Sequence, residues 1–157
     1  MVMARSSIVC HLPLVIYHWS FSKGQAEWSS VERSANQAEE LNSRLLDFAI
    51  RVIRLVKALP RTPEARHVAR QLLRSGTSPG ANYEEACGAE SRGDFAHKIG
   101  VVLKELKETR YWLRVAGRVP LLKPASRLDA LLGETEQLVA IFAKSLATLR
   151  KKAGNDK

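Results

Sequence analysis

The chain has 157 residues, of which 45% are hydrophobic and 26% are charged, the composition of one soluble globular domain. Lysine and arginine number 25 against 16 aspartate and glutamate residues, and the net charge of +9 favours polyanionic or acidic partners. The apolar runs are too short or too polar to span a membrane. No metal-binding spacing, phosphate-binding loop or nucleophile motif occurs, so we expect no metal, no cofactor, no small-molecule substrate and no enzymatic activity.

Residues 1–36 are predicted to form a poorly ordered N-terminal extension. Residues 8–21 are apolar but are interrupted by His11, Pro13 and His18. They resemble a signal peptide only weakly, because no clean cleavage site follows them. We therefore expect a cytoplasmic protein.

Residues 23–36 are polar and are interpreted as a linker before the first helix. No methionine follows Met3, but an alternative bacterial start codon can encode Val31. We therefore expect the natural protein to begin near Val31, in which case the preceding residues contribute nothing to the core.

The first helix is predicted from about Asn36 to Leu59, where Pro60 ends it because the residue before a proline is disfavoured from helical geometry. Apolar residues recur at intervals of three and four, which is the spacing of a helix-bundle seam. The seam consists of Leu41, Leu45, Phe48, Val52, Leu55 and Leu59. Further apolar residues at Ile50, Ile53 and Val56 widen this stripe, so the helix is predicted to contact more than one neighbour.

The second helix has a strong start signal at residues 62–64. Thr62 can accept a hydrogen bond as the N-cap, Pro63 suits the first turn, and Glu64 suits the positive end of the helix dipole. The inward positions are Ala65, Val68, Ala69, Leu72 and Leu73. The helical pattern is then interrupted by glycine and proline within residues 76–80, which ordinarily break a helix.

The third helix is predicted to begin at a cap provided by Ser91 or Asp94 and to end at Gly117. Its inner face comprises Phe95, Ile99, Val102, Leu103, Leu106, Thr109, Leu113 and Ala116. Ser126 is predicted to cap the fourth helix, and residues 153–157 to fray. The apolar face of that helix comprises Leu128, Leu131, Leu132, Thr135, Leu138, Val139, Phe142, Leu146 and Leu149.

Helices joined by such short connections must lie side by side and antiparallel. The sequence therefore predicts an all-α, antiparallel, up-down-up-down four-helix bundle over residues 37–152. Apolar residues on more than one face of the first and third helices would leave a patch exposed on an isolated bundle, and such patches usually mark interfaces. We therefore expect a homo-oligomer.

Three segments carry a resemblance to a known family. They are SGTSPGANYEEA at 75–86, SRGDFAHKIG at 91–100 and LKELKETRYWL at 103–113. Together they resemble the four-helix-bundle family first noticed as 23S ribosomal-RNA intervening-sequence proteins, over about residues 41–151. The resemblance implies a four-helix bundle that often assembles as a ring of five subunits, and it does not imply an enzyme. A distant relative, the accessory protein of diversity-generating retroelements, is similar in fold and binds nucleic acid through a basic surface.

The resemblance also implies that the second helix continues through Pro79 to about Cys87, with a kink or one irregular turn. Ser78, Asn82 and Glu85 match the family's polar motif. We favour a structural role for Asn82 and Glu85, satisfying backbone groups freed near the proline or pairing with an arginine of a neighbouring helix. The alternative is a contact with a ligand or with nucleic acid.

Tyr111 and Trp112 match a second family motif. Aromatic side chains at helical spacing more often lie in a core or a subunit interface than form a platform for stacking bases. We therefore expect Tyr111 and Trp112 to be structural.

Six arginines on the first two helices are candidates for nucleic-acid binding: Arg44, Arg51, Arg54, Arg66, Arg70 and Arg74. If they line one surface, the protein binds or scaffolds RNA or DNA with low sequence specificity, because phosphate contacts carry no sequence information. The alternative is a protein–protein adaptor with no nucleic-acid role, in which the positive charge only aids solubility.

Overall fold

The computed structural model describes residues 26–119 and 121–155, which form four long α-helices. The helices are α1 (Ala26–Ala58), α2 (Pro63–Cys87), α3 (Arg92–Arg118) and α4 (Asp129–Asn155). A short 3-10 helix at Ala125–Leu128 precedes α4. Helix α2 packs against α1 and α3, and α3 packs against α4, whereas α1 and α4 touch only sparingly. The predicted all-α, up-down-up-down bundle is confirmed.

Helix α1 begins at Ala26, well before the predicted start near Asn36. The interpretation of residues 23–36 as a linker is therefore wrong for residues 26–36. These residues lack the apolar periodicity of the later turns, but they contain no glycine or proline, so nothing in them stops a helix. The apolar stretch 8–21 lies outside the described residues, and the expected start near Val31 stays a prediction.

The core follows the predicted seams of all four helices. Its largest fully buried side chains include Phe48 of α1, Leu72 of α2, Leu106 of α3 and Phe142 of α4. The predicted inner face of α3 is buried from Ile99 to Ala116. The apolar periodicity therefore identified most of the core, because burial of one stripe per helix is what holds a bundle together. The predicted inward position of Leu73 is wrong, since this residue is 42% exposed.

Helix α2 begins as predicted, with the Ala65 backbone N–H donating to Thr62 Oγ1 at 3.3 Å. It continues through Pro79 to Cys87, as the resemblance implied. The small residues of this stretch have a packing reason, because a Cβ at Gly76 would lie 2.7 Å from Val52 Cγ1. Glycine at this position allows α1 and α2 to approach each other closely.

The cap of α3 is Ser91, whose Oγ accepts from the Asp94 backbone N–H at 3.1 Å. The predicted fraying of residues 153–157 is wrong for residues 153–155, because α4 continues to Asn155. Two further predicted helix boundaries are wrong. Gly117 does not end α3, which continues to Arg118, and among the described glycines none has a positive φ. Ser126 does not cap α4 but lies inside the 3-10 helix, since the chain makes this tighter turn before α4 begins at Asp129.

Candidate nucleic-acid interface

Positive charge is concentrated at one end of the bundle. The antiparallel topology brings the last turns of α1, the first turns of α2, the end of α3 and the start of α4 to the same end. An edge-to-face contact between the rings of His67 and Trp112, with centroids 5.4 Å apart, joins α2 to α3 there. We define the basic end as residues 51–70 together with residues 110–136, which include the start of α4.

The basic end contains eleven lysine and arginine residues against four acidic residues, Glu64, Asp129, Glu134 and Glu136. The basic residues are Arg51, Arg54, Lys57, Arg61, Arg66, Arg70, Arg110, Arg114, Arg118, Lys123 and Arg127. Residues 36–50, 71–109 and 137–151 together contain nine basic and nine acidic residues. The bundle therefore has a strongly positive end and a remainder without net charge.

The six arginines predicted from the sequence do not lie on one surface. Arg44 reaches across to α4, where its Nε donates to Glu134 Oε1 and its Nη2 donates to Gln137 Oε1, each at 2.6 Å. The hydrogen bond to Glu134 raises the pKa of Arg44 above its ordinary value. Arg74 instead reaches across to α3, where it hydrogen-bonds to Glu108 and its Nη1 lies 3.8 Å from Glu105.

These contacts place Arg44 and Arg74 at opposite seams of the bundle, one between α1 and α4 and the other between α2 and α3. Their charge is already opposed by carboxylates, so neither is well suited to hold a phosphate. The other four candidates, Arg51, Arg54, Arg66 and Arg70, lie at the basic end. Within the described residues none of the four forms an ion pair, and all but the half-buried Arg51 are exposed.

Sequence reasoning missed a basic face on α3. Lys104, Lys107, Tyr111 and Arg118 are spaced three, four and seven residues apart, which places them on one side of a helix. All four are exposed, and over the described residues none of these lysines or this arginine forms an ion pair. At 1.5 Å per residue the face is about 21 Å long. From the sequence, Lys104 and Lys107 were expected to face solvent together with Glu105 and Glu108, but Tyr111 and Arg118 were not recognised as part of the same side.

The two aromatic residues of α3 differ in environment. Trp112 is half-buried, packs against the core, and contacts Tyr111 edge to face with centroids 5.0 Å apart. Its Nε1 donates to Glu108 Oε1 at 3.4 Å. Tyr111 is 59% exposed and therefore does not lie in the bundle core, which was one of the two structural locations expected for it. Tyr111 therefore offers an accessible ring in the middle of the basic face of α3.

The polar family motif on α2 lies away from the basic end. Asn82 Nδ2 donates to the carbonyl oxygen of Ser78 at 3.0 Å and to Ser78 Oγ at 2.9 Å. Glu85 pairs with Lys98 of α3, and this hydrogen bond raises the pKa of Lys98. Ser78, Asn82 and Glu85 thus make contacts within α2 and between α2 and α3, although the partner of Glu85 is a lysine rather than the expected arginine.

Within the described ranges, no group of three or more histidine, cysteine, aspartate or glutamate residues is arranged to hold a metal ion. The four helices described also include none whose length and hydropathy would let it cross a bilayer.

Comparison with known proteins places the bundle in a family. Residues 39–144 match the family described as 23S rRNA-intervening sequence protein. Among solved structures, the chain is similar to a protein of unknown function from the S23 ribosomal protein family of Bacteroides thetaiotaomicron. The two are 31% identical, with a TM-score of 0.64, over 70% of this chain and 97% of that one. No curated protein matches the chain. Because the family match covers more than half of the sequence, the chain belongs to the 23S rRNA-intervening sequence protein family.

Proposed function

We propose that the protein is a non-enzymatic, homo-oligomeric nucleic-acid-binding protein whose basic end contacts the phosphate backbone. The observation that carries this proposal is the segregation of charge, with eleven basic residues and four acidic residues at one end. Like charges held close together repel each other and destabilise a fold, so stability does not explain their clustering. A polyanion gains affinity from the same cluster, because each phosphate that is neutralised releases counterions.

The contacts available at this end favour binding with low sequence specificity. Arginine presents a planar fork of donors that matches the geometry of a phosphate group. Such contacts position a nucleic acid but do not read its bases. The name of the family refers to an intervening sequence of 23S rRNA, so RNA is the first ligand to test.

An apolar flank on the outside of α1 and α2 supports the homo-oligomeric part of the proposal. Leu46, Ile50 and Leu73 are 61%, 37% and 42% exposed. The close approach of Gly76 to Val52 shows that α1 and α2 run side by side in this region, so the three side chains share one flank. A second copy of the chain would cover this surface, and the family resemblance implies a ring of five subunits. Association through this flank would leave the basic end accessible.

The alternative function is a protein–protein adaptor without a nucleic-acid role. The same apolar flank favours it, since an exposed apolar patch also fits an unrelated protein partner. The two functions differ in one respect, because only nucleic-acid binding depends on the arginines of the basic end.

Two triple variants with the same change in net charge separate these functions. The first replaces Arg54, Arg66 and Arg70 of the basic end with glutamine, and the second replaces the exposed Lys144, Arg150 and Lys151 near the other end of the bundle. The affinity for a fluorescein-labelled single-stranded RNA of twenty nucleotides is measured by fluorescence anisotropy between 50 and 200 mM salt. Over this range, a protein that makes six phosphate contacts loses about 10³-fold or more in affinity.

The wild-type protein is expected to bind RNA at low salt, with an affinity that falls steeply as salt increases. The basic-end variant should lose at least about tenfold in affinity and should have a shallower salt dependence, because about three phosphate contacts are removed. The control variant should retain affinity within about threefold, since its charges act only at long range. Absence of binding at low salt, or an equal loss in both variants, would contradict the proposal and favour the adaptor.

A further inference from the structure

A cavity opens at the end of the bundle opposite the basic end. Its volume is about 280 Å³, and all four helices contribute to its wall. Leu41 of α1, Tyr83 of α2, Phe95 and Ile99 of α3 and Phe142 of α4 line it. Because α1 and α4 touch only sparingly, the bundle is less tightly closed between these two helices. The cavity therefore lies in a part of the bundle that is separate from the surface proposed for nucleic acid.

The wall of the cavity is apolar and aromatic. The rings of Tyr83 and Phe142 meet edge to face with centroids 5.7 Å apart, and both residues are almost completely buried. No charged residue belongs to the lining among the described residues. Transfer of a charged group into such a wall is unfavourable without a compensating partner, so the cavity favours uncharged ligands.

The hydroxyl group of Tyr83 is a polar feature of the cavity wall. Tyr83 as a whole is only 3% exposed, and its hydroxyl forms no hydrogen bond to any residue in the described part of the chain. A phenol hydroxyl can donate one hydrogen bond and accept another, so this group can pair with a molecule in the cavity. Burial raises the pKa of Tyr83 to about 12, so the group stays protonated at neutral pH and is available as a donor.

The mouth of the cavity is polar. Gln37 and Ser145 line it and are exposed to solvent. Ser145 Oγ donates to the carbonyl oxygen of Ile141 at 3.0 Å, so its oxygen retains lone pairs that can accept a hydrogen bond. A molecule entering between α1 and α4 would pass these two polar side chains before it reaches the aromatic wall.

We propose that this cavity binds a small, uncharged aromatic molecule that carries one hydrogen-bonding group. The ring would pack against Tyr83, Phe142 and Ile99, and the polar group would pair with the Tyr83 hydroxyl. An apolar protein cavity of about 150 Å³ is large enough for benzene. The larger volume here therefore suits a substituted single ring or a pair of fused rings.

Calorimetric titration of the full chain with p-cresol and with toluene tests the proposal, because the two probes differ in one hydroxyl group. We expect saturable binding of both, with p-cresol bound more tightly. Tyr83→Phe should weaken p-cresol binding about fivefold, the equivalent of one hydrogen bond, and should leave toluene binding unchanged.

Two further variants show whether the probes occupy this cavity. Ala38→Leu adds apolar volume at the wall, and Ser145→Leu adds volume at the exposed mouth, where it is tolerated more readily. Ala140→Leu, on an exposed part of α4 outside the lining, is the matched control. Circular dichroism confirms that each variant is folded.

Binding of both probes should fall at least about tenfold in Ala38→Leu or Ser145→Leu, since the added atoms occupy the ligand volume, and should stay within about twofold in Ala140→Leu. The proposal is overturned if neither probe binds saturably to the wild-type chain. It is also overturned if the folded cavity variants bind as the control does, or if Tyr83→Phe binds p-cresol as tightly as wild type.

Discussion

The two ends of the bundle belong to the same four helices but differ in how their charged and polar side chains are paired. At the basic end, Arg54, Arg66 and Arg70 are exposed and form no ion pair within the described residues, whereas Arg114 pairs with Glu136 of α4. Toward the other end, Glu85 pairs with Lys98, Asn42 hydrogen-bonds to Glu84, and an apolar cavity opens between the helices. Exposed ion pairs contribute little to stability, so folding does not require either arrangement. The difference indicates that the ends serve different purposes.

Between the two ends, the helices approach closely through small and hydroxyl side chains. Gly76 lies against Val52 of α1, and Thr109 Oγ1 lies 3.0 Å from Ser75 Oγ across the interface of α2 and α3. Each hydroxyl group also hydrogen-bonds to the backbone carbonyl oxygen four residues earlier in its own helix. Ser75 contacts the carbonyl oxygen of Gln71, and Thr109 contacts that of Glu105. This middle layer fixes the two ends relative to each other.

The largest expected effect on stability concerns Tyr83 at alkaline pH. Its pKa is raised from 10.0 to about 12 because burial disfavours the charged phenolate. The unfolded chain therefore releases this proton near pH 10 while the folded chain retains it. Stability conferred by the neutral form is complete below pH 10 and is lost as the pH rises toward 12, by about 2–3 kcal/mol.

Urea unfolding between pH 9 and 12 measures this loss. Tyr83→Phe has no titrating group at this position and should show a shallower decline over the same range. Equal declines for the two proteins would show that the cavity end does not shield Tyr83 from water, and the contrast between the ends would weaken.

The next largest effect concerns the middle layer. Gly76→Ala should lower the free energy of unfolding by about 1–3 kcal/mol, because the new methyl group meets the stiff side chain of Val52 at 2.7 Å. Gly133→Ala is the matched control, since nothing lies within 4 Å of its added Cβ. The control should gain about 0.5–1 kcal/mol from its better helix propensity. Thermal unfolding that leaves both variants alike would contradict the close approach of α1 and α2.

A smaller effect is expected for the family motif. Asn82→Ala removes the two hydrogen bonds to Ser78 and should lower the free energy of unfolding by about 1 kcal/mol. RNA affinity should be unchanged, because Asn82 lies away from the basic end. A variant that melts as wild type does but binds RNA weakly would reverse this assignment and make the motif a ligand contact.

Residues whose role follows from periodicity were predictable from the sequence. The seam from Leu45 to Val52, the Thr62 cap and the buried face of α3 all depend on local spacing and capping chemistry. The early start of α1 at Ala26 was not predictable in the same way, because its first turns carry no clear apolar stripe.

The site was only partly predictable, since charge is visible in a sequence but its neutralisation is not. Arg44 and Arg74 looked equivalent to Arg66 and Arg70 until the structure placed Glu134 and Glu108 beside them. In the same way, the concentration of charge at one end depends on topology. Residues 51–70 and 110–136 are distant in sequence and become neighbours only when the helices run up and down.

The most direct test of the central claim is to locate the RNA on the protein. Ultraviolet crosslinking to single-stranded RNA followed by peptide mass spectrometry reports which segments contact it. Binding at the basic end predicts crosslinks within residues 51–70 and 110–136, with the exposed Tyr111 ring among the modified side chains. Crosslinks concentrated in residues 75–100, around Asn82 and Glu85, would contradict the claim.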